Sequence, residues 1–152
     1  MLKVGDKAPD FSLPSDSGSE VSLKDFRGHK LVLYFFPRAD TPGCTSEANQ
    51  FSDAVSGLEK LGARVLGMSG DAVESLQKFK AKYELNIPLA GDTKHDTLEA
   101  YGVWQEKKLY GKKLMGIVRT TYIIDGQGTI THVFPKVKVD GHIRQVLAAL
   151  NG

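Results

Sequence analysis

The chain has 152 residues, 41% of them apolar and 25% charged, and twenty basic against eighteen acidic side chains leave a net charge of +2. Such proportions suit an ordinary globular protein, long enough to bury about 70% of its unfolded surface. The charge is too small to imply nucleic acid or a membrane surface as partner. One cysteine excludes an internal disulfide framework and every multi-cysteine metal site. No apolar run approaches the ~20 residues of a membrane span. The first residues, Met1 to Asp6, lack the apolar core of a signal peptide, so a reducing, cytoplasmic setting is the expectation.

With no repeat, low-complexity tract or long linker, residues 1–152 read as a single domain. The first thirty residues mix short apolar groups with turn formers such as Ser15-Asp16-Ser17-Gly18, an extended or hairpin-like lead-in. Leu31 to Phe36 is continuously apolar, as in a strand buried on both faces. Ala48, Phe51, Val55 and Leu58 then recur at helical spacing, and Gly62 precedes a second strand over Ala63 to Ser69. Strand, helix, strand in that order implies a parallel crossover. Asp71 with Glu74 has the spacing of a capping box, opening a helix whose apolar face is Val73, Leu76, Phe79 and Tyr83. A short strand near Ile87 to Ala90 follows, and a helix from about Asp92 to Tyr101 stops at Gly102. The stretch through Trp104 and the lysine pairs Lys107-Lys108 and Lys112-Lys113 reads as a solvated loop, with Trp104 in packing. Arg119 to Ile124 and Thr129 to Phe134 alternate about Asp125-Gly126-Gln127-Gly128, an antiparallel hairpin. Ile143, Val146, Leu147 and Leu150 stripe a last helix. The order is that of an α/β, thioredoxin-like fold: a central mixed sheet flanked by helices, with an N-terminal extension.

The lone cysteine, Cys44, lies in Pro37-Arg38-Ala39-Asp40-Thr41-Pro42-Gly43-Cys44-Thr45, where the buried strand gives way to a helix. A sulfur at a helix N-terminus faces unpaired N–H groups and the positive end of the helix dipole, which favours the thiolate. That is also where the carboxyl ends of parallel strands place chemistry. Thr41, one short loop away, has a hydroxyl able to donate to the sulfur or to an oxygen beside it. Pro37 ends the strand and offers an apolar wall without an N–H.

Pro-x-x-x-Thr-x-x-Cys after a strand resembles the active-site motif of the peroxiredoxins. The longer run Tyr-Phe-Phe-Pro-x-x-Asp-Thr-Pro-Gly-Cys-Thr-x-Glu-Ala is similar to the bacterioferritin comigratory protein branch, also called peroxiredoxin Q. Tyr101-Gly102-Val103-Trp104 and Gly116-Ile117-Val118-Arg119-Thr120-Thr121 resemble the same branch, and the likeness runs from Gly5 to the last helix. It implies a thiol peroxidase that reduces hydrogen peroxide and organic hydroperoxides through a Cys44 sulfenic acid. It also implies that Arg119, opening a strand, is the cation that activates the thiolate, with Thr41 and Pro37 completing the site. Glu47 and Gly43 support it, Glu47 either orienting Arg119 by an ion pair or serving as an acid in the first helical turn.

The chain departs from the branch in having no resolving cysteine: the two positions that carry one in relatives are Asn49 and Lys80 here. Internal resolution is therefore excluded, and the sulfenic acid needs an external thiol, whether thioredoxin, glutaredoxin or a small molecule. The missing Cys-x-x-Cys pair disfavours a thiol–disulfide oxidoreductase. His29, His95, His132 and His142 read as surface or strand residues without an orienting third group, which disfavours a cysteine hydrolase. A non-enzymatic relative is disfavoured by the intact Pro37, Thr41, Cys44 and Arg119 set. No His/Cys cluster or Gly-rich phosphate loop calls for a metal, nucleotide or flavin cofactor. No apolar stripe marks an interface, which points to a monomer, with a dimer as the alternative.

Overall fold

Leu31 to Phe36 supplies the centre of the molecule because its side chains alternate between two separate apolar layers. A computed structural model describes residues 1–152 and every side chain except that of Leu109. An N-terminal hairpin of β1 (Ser12–Pro14) and β2 (Glu20–Ser22) leads through a 3-10 turn (Leu23–Phe26) into β3 (Lys30–Phe35). Then come α1 (Pro42–Lys60), β4 (Ala63–Ser69), α2 (Val73–Tyr83), β5 (Leu89–Gly91) and α3 (Asp96–Ala100). The chain closes with β6 (Trp104–Leu109), β7 (Lys112–Ile117), β8 (Thr120–Ile124), β9 (Ile130–Phe134) and α4 (His142–Asn151).

The main sheet has the order β5-β4-β3-β8-β9. Neighbours β3, β4 and β5 run parallel, whereas β8 and β9 join antiparallel, so the sheet is mixed as expected of a thioredoxin-like fold. Val32, Tyr34 and Phe36 face one layer with Ala48, Phe51 and Leu58 of α1, Leu76 and Phe79 of α2, and Val146 of α4. Leu31, Leu33 and Phe35 face the other, with Met68, Leu98, Tyr101, Ile117 and Tyr122. This two-sided burial explains why the strand is apolar without interruption.

Three elements differ from the sequence expectation. Asp71 does not form a capping box: α2 starts after Ala72 with no side-chain cap. The Asp71 carboxylate instead accepts the Ala39 N–H at 2.8 Å and the Ser69 hydroxyl at 2.7 Å, because the loop before Cys44 passes directly over it. The third helix is shorter than Asp92 to Tyr101, since His95 has φ +69° and the Asp92 carboxylate caps the Leu98 N–H. The lysine-rich stretch is an antiparallel two-stranded sheet of its own, β6–β7, rather than a loop. Its two-residue turn, Tyr110-Gly111, has positive φ at both residues, the type I′ pattern that matches strand twist.

Tyr34 reaches across to its register partner Gly67 on β4. A Cβ at Gly67 would lie 2.8 Å from Tyr34 Cζ and 2.9 Å from Leu89 Cδ2. Gly67→Ala should therefore lower stability by about 1–3 kcal/mol, the usual cost of overpacking a full core. Urea denaturation with far-ultraviolet CD checks this; an unchanged midpoint would show that the ring moves aside freely.

Candidate active site

Cys44 is the third residue of α1, after Pro42 and Gly43, and it is 1% exposed. Proline is well placed at the first helical position, where an N–H would go unpaired in any case. The first intrahelical bond runs from the Thr45 N–H to the Thr41 carbonyl at 2.8 Å. The N–H groups of Gly43 and Cys44 therefore belong to the open first turn, aimed where negative charge on the sulfur or on an adjacent oxygen would sit.

The loop into this helix is tied down along its length. Ala39 is bonded to Asp71, and Asp40, at φ +61°, accepts the Tyr83 hydroxyl at 2.6 Å and Lys82 Nζ at 2.9 Å. Thr41 is the N-cap, but its hydroxyl donates to the Arg38 carbonyl at 2.9 Å and not to the sulfur. Pro37, half-buried, follows the end of β3.

Arg119 lies just before β8, the strand beside β3, and this adjacency carries it across to α1. Its Nη2 donates to Cys44 Sγ at 3.4 Å and its Nη1 to Glu47 Oε1 at 2.7 Å. Glu47 is thus an ion-pair partner and not merely a first-turn acid. A Cβ at Gly43 would stand 3.2 Å from Arg119 Nη2, so the absence of a side chain there admits the guanidinium. Burial pushes the Glu47 carboxyl up to about 7 against the pull of Arg119. Burial also works against the Arg119 charge, but Glu47 and the Cys44 sulfur together hold its pKa above the ordinary value.

Four of the six residues expected from sequence are therefore in direct apposition: Cys44, Arg119, Glu47 and Gly43. Two further residues near the site, Tyr34 and Lys107, have no functional reading in the sequence. Tyr34 Oη and Glu47 Oε2 are buried without a hydrogen-bond partner among the described residues. Burial holds the Tyr34 hydroxyl well above its usual range, and the charges of Glu47 and Cys44 add to the effect. A tyrosine inside an otherwise apolar strand was the available signal, since a buried hydroxyl ordinarily has a use. Lys107, expected in a solvated loop, lays its stem across Gly116, with Cδ 3.3 Å from where a Cβ would be. Burial lowers its pKa, and the charge of Arg119 lowers it further.

No histidine hydrogen-bonds the Cys44 sulfur among the described residues. His142 is buried, not a surface or strand residue, and both ring nitrogens are engaged, by Thr121 at 2.8 Å and Gln145 at 2.9 Å. His95 stacks on Trp104 at 3.9 Å, which confirms Trp104 as packing. Lys80, a position that the resemblance assigns to a resolving cysteine, forms an ion pair with Asp16 at 2.8 Å.

Residues 4–133 match the family model described as AhpC/TSA. The chain belongs to this family. A relative from Coxiella burnetii is 50% identical over 149 residues, covering 98% of this chain and 99% of its own. Peroxiredoxin Bcp of Escherichia coli K12 is 45% identical over 146 residues, covering 96% and 94%. The bacterioferritin comigratory protein of Xanthomonas campestris, whose alkyl peroxide reduction activity has been described, superposes with a TM-score of 0.91 at 37% identity, over 99% and 96% of the two chains. The chain is thus a peroxiredoxin of the Bcp/peroxiredoxin Q branch, a thiol-dependent peroxidase, and its single cysteine makes it the 1-Cys type. No helix is long and apolar enough to cross a membrane.

The ion pair gives a stability test. Because the folded pKa of Glu47 is raised from 4.5 to about 7, the native state holds more protons than the unfolded chain between those values. This contribution therefore lowers stability as pH rises through that window, by something on the order of 3 kcal/mol from pH 4.5 to 8. Glu47→Gln should remove this slope and be the more stable protein at pH 8 relative to pH 5. Parallel urea midpoints for both proteins across this range would contradict the assignment.

Proposed function

We propose that this protein reduces hydrogen peroxide and organic hydroperoxides with Cys44 as nucleophile, Arg119 and Thr41 as donors and Pro37 as the apolar wall. The observation that carries the reading is the 3.4 Å contact from Arg119 to a cysteine sulfur held in the open first turn of α1. The Cys44 thiolate attacks the terminal oxygen of the peroxide, an S–O bond forms as the O–O bond breaks, and the remaining fragment leaves as alkoxide or hydroxide and takes a proton. Sulfur is oxidised by two electrons to sulfenic acid. Charge moves from sulfur to the leaving oxygen, so fixed donors beside both atoms lower the barrier without reorganising. Arg119 offers two guanidinium nitrogens in a rigid plane, suited to contact sulfur and oxygen together. Thr41, now bonded to the Arg38 carbonyl, turns its hydroxyl toward the peroxide when the substrate is present. Glu47 and Gly43 are positioning residues for Arg119.

Regeneration follows from the cysteine count. The sulfenic acid condenses with an external thiol to a mixed disulfide and water, and a second thiol releases Cys44 and leaves with the first as a disulfide. Thioredoxin, glutaredoxin or a small thiol fits this step. A thiol-rich cytoplasm is the compartment that supplies it.

Cys44→Ser should abolish peroxide consumption with its far-ultraviolet CD unchanged; residual turnover near wild type would remove the peroxidase reading. Intact mass of the wild type under limiting peroxide should show a gain of one oxygen, then two when peroxide is in excess and thiol scarce. An added small thiol should give a mixed disulfide instead. Direct appearance of the doubly oxidised species with no thiol-trappable precursor would contradict the sulfenic step.

A further inference from the structure

The β6–β7 arm, a two-stranded sheet outside the main one, has no part in the chemistry described so far. It carries four lysines against one carboxylate, Glu106, a net +3 on a chain whose total is +2, leaving the remainder at −1. None of these lysines has a carboxylate partner among the described residues. Three of the five exposed large apolar residues among those described are also here: Tyr110 at 95%, Leu114 at 52% and Met115 at 53%. Tyr110 is held at φ +51° in the turn, where Asn, Asp or Gly fits without strain. A fully exposed aromatic ring kept in an unfavourable backbone state has a cost to folding and no partner within the chain.

We propose that this arm is the docking surface for an acidic protein that carries the reducing thiol. The proposal rests on the reading that an external thiol regenerates Cys44. The base of the arm lies beside the site, because β7 runs through Val118 directly into Arg119, and Lys107, its stem laid over Gly116, is near enough to feel the charges of Arg119 and Cys44. Alternation along the strands puts Lys107, Lys112 and Leu114 on one face of the arm and Lys108, Lys113 and Met115 on the other. A partner seated on Tyr110 and Leu114, its carboxylates facing Lys112 and drawn in by Lys108 and Lys113, stands on the face whose Lys107 lies near Arg119 and Cys44. Charge steers the encounter and the apolar residues hold it. A second copy of this chain fits poorly, because an arm-to-arm contact sets +3 against +3.

The test compares peroxide consumption driven by an acidic thioredoxin, kept reduced by its reductase and NADPH, with consumption driven by dithiothreitol. Two variants are used, Lys108→Glu/Lys112→Glu/Lys113→Glu and Tyr110→Asn. The second creates an Asn-Gly turn, which holds the arm at least as well, so its melting temperature should be equal or higher. The triple variant should raise KM for thioredoxin by about tenfold and abolish most of its salt dependence. Tyr110→Asn should raise it severalfold, and dithiothreitol-driven rates should stay at wild type for both. An unchanged KM for thioredoxin, or equal losses with both thiols, would overturn the docking. So would a wild-type dimer in sedimentation that the triple variant dissolves, or anionic vesicles that bind wild type and not the variant. Turnover with dithiothreitol but none with thioredoxin removes the docking alone, whereas no turnover with either removes external regeneration and the docking together.

Discussion

One guanidinium serves two acids in a buried site, and the other features of that site are arranged around this constraint. Arg119 is the only cation in hydrogen-bonding contact with Cys44 and Glu47 among the described residues. A thiolate and a carboxylate both ionised there would leave one excess negative charge in surroundings that solvate it badly. Burial answers by pushing Glu47 up to about 7, so that near neutrality its carboxyl can hold a proton and leave the guanidinium charge to the sulfur. Glu47 thereby holds the arginine in place without permanently cancelling it.

The fold delivers those groups from two distant stretches of chain, the start of α1 and the approach to β8. The loop over Pro37 to Thr41 would wander if only its ends were fixed. Asp71 holds its middle from the end of β4, and Lys82 with Tyr83 holds Asp40 from α2. The first turn of α1 is thus presented in one orientation, with Gly43 leaving room for the arginine arriving from β8. Replacing a Cβ by hydrogen at that one position admits the contact that the chemistry needs.

Most of this was legible in the sequence, for identifiable reasons. Long periodic stretches, such as Leu31 to Phe36 and Ala48 to Leu58, have one stable arrangement, and their strands and helix match the structure. The chemistry at Cys44 was legible because its motif is local and dense. What failed were signals whose meaning depends on partners far along the chain. Asp71 and Glu74 have capping-box spacing, yet the carboxylate was taken by Ala39, thirty-two residues away. The lysine pairs look like solvated loop, but β6 and β7 pair through their backbones, which charge composition does not report. Tyr34 reads as one more apolar residue of its strand, although its hydroxyl is buried within reach of the Glu47, Cys44 and Arg119 charges. The Thr41 hydroxyl reads as a donor to the sulfur or to an oxygen beside it, and in the structure it bonds the Arg38 carbonyl, a choice between rotamers that spacing cannot decide.

The central claim is that Arg119 activates Cys44 by direct contact while Glu47 only positions it. Stopped-flow measurement of the second-order reaction of reduced protein with hydrogen peroxide at pH 7, in wild type, Arg119→Met and Glu47→Gln, tests it directly. Arg119→Met should slow the reaction by about a hundredfold or more, the usual cost of removing a preorganised donor from a reacting centre. Glu47→Gln, which keeps an acceptor for the guanidinium, should slow it much less. An Arg119→Met rate close to wild type, or a larger loss in Glu47→Gln than in Arg119→Met, would contradict the account.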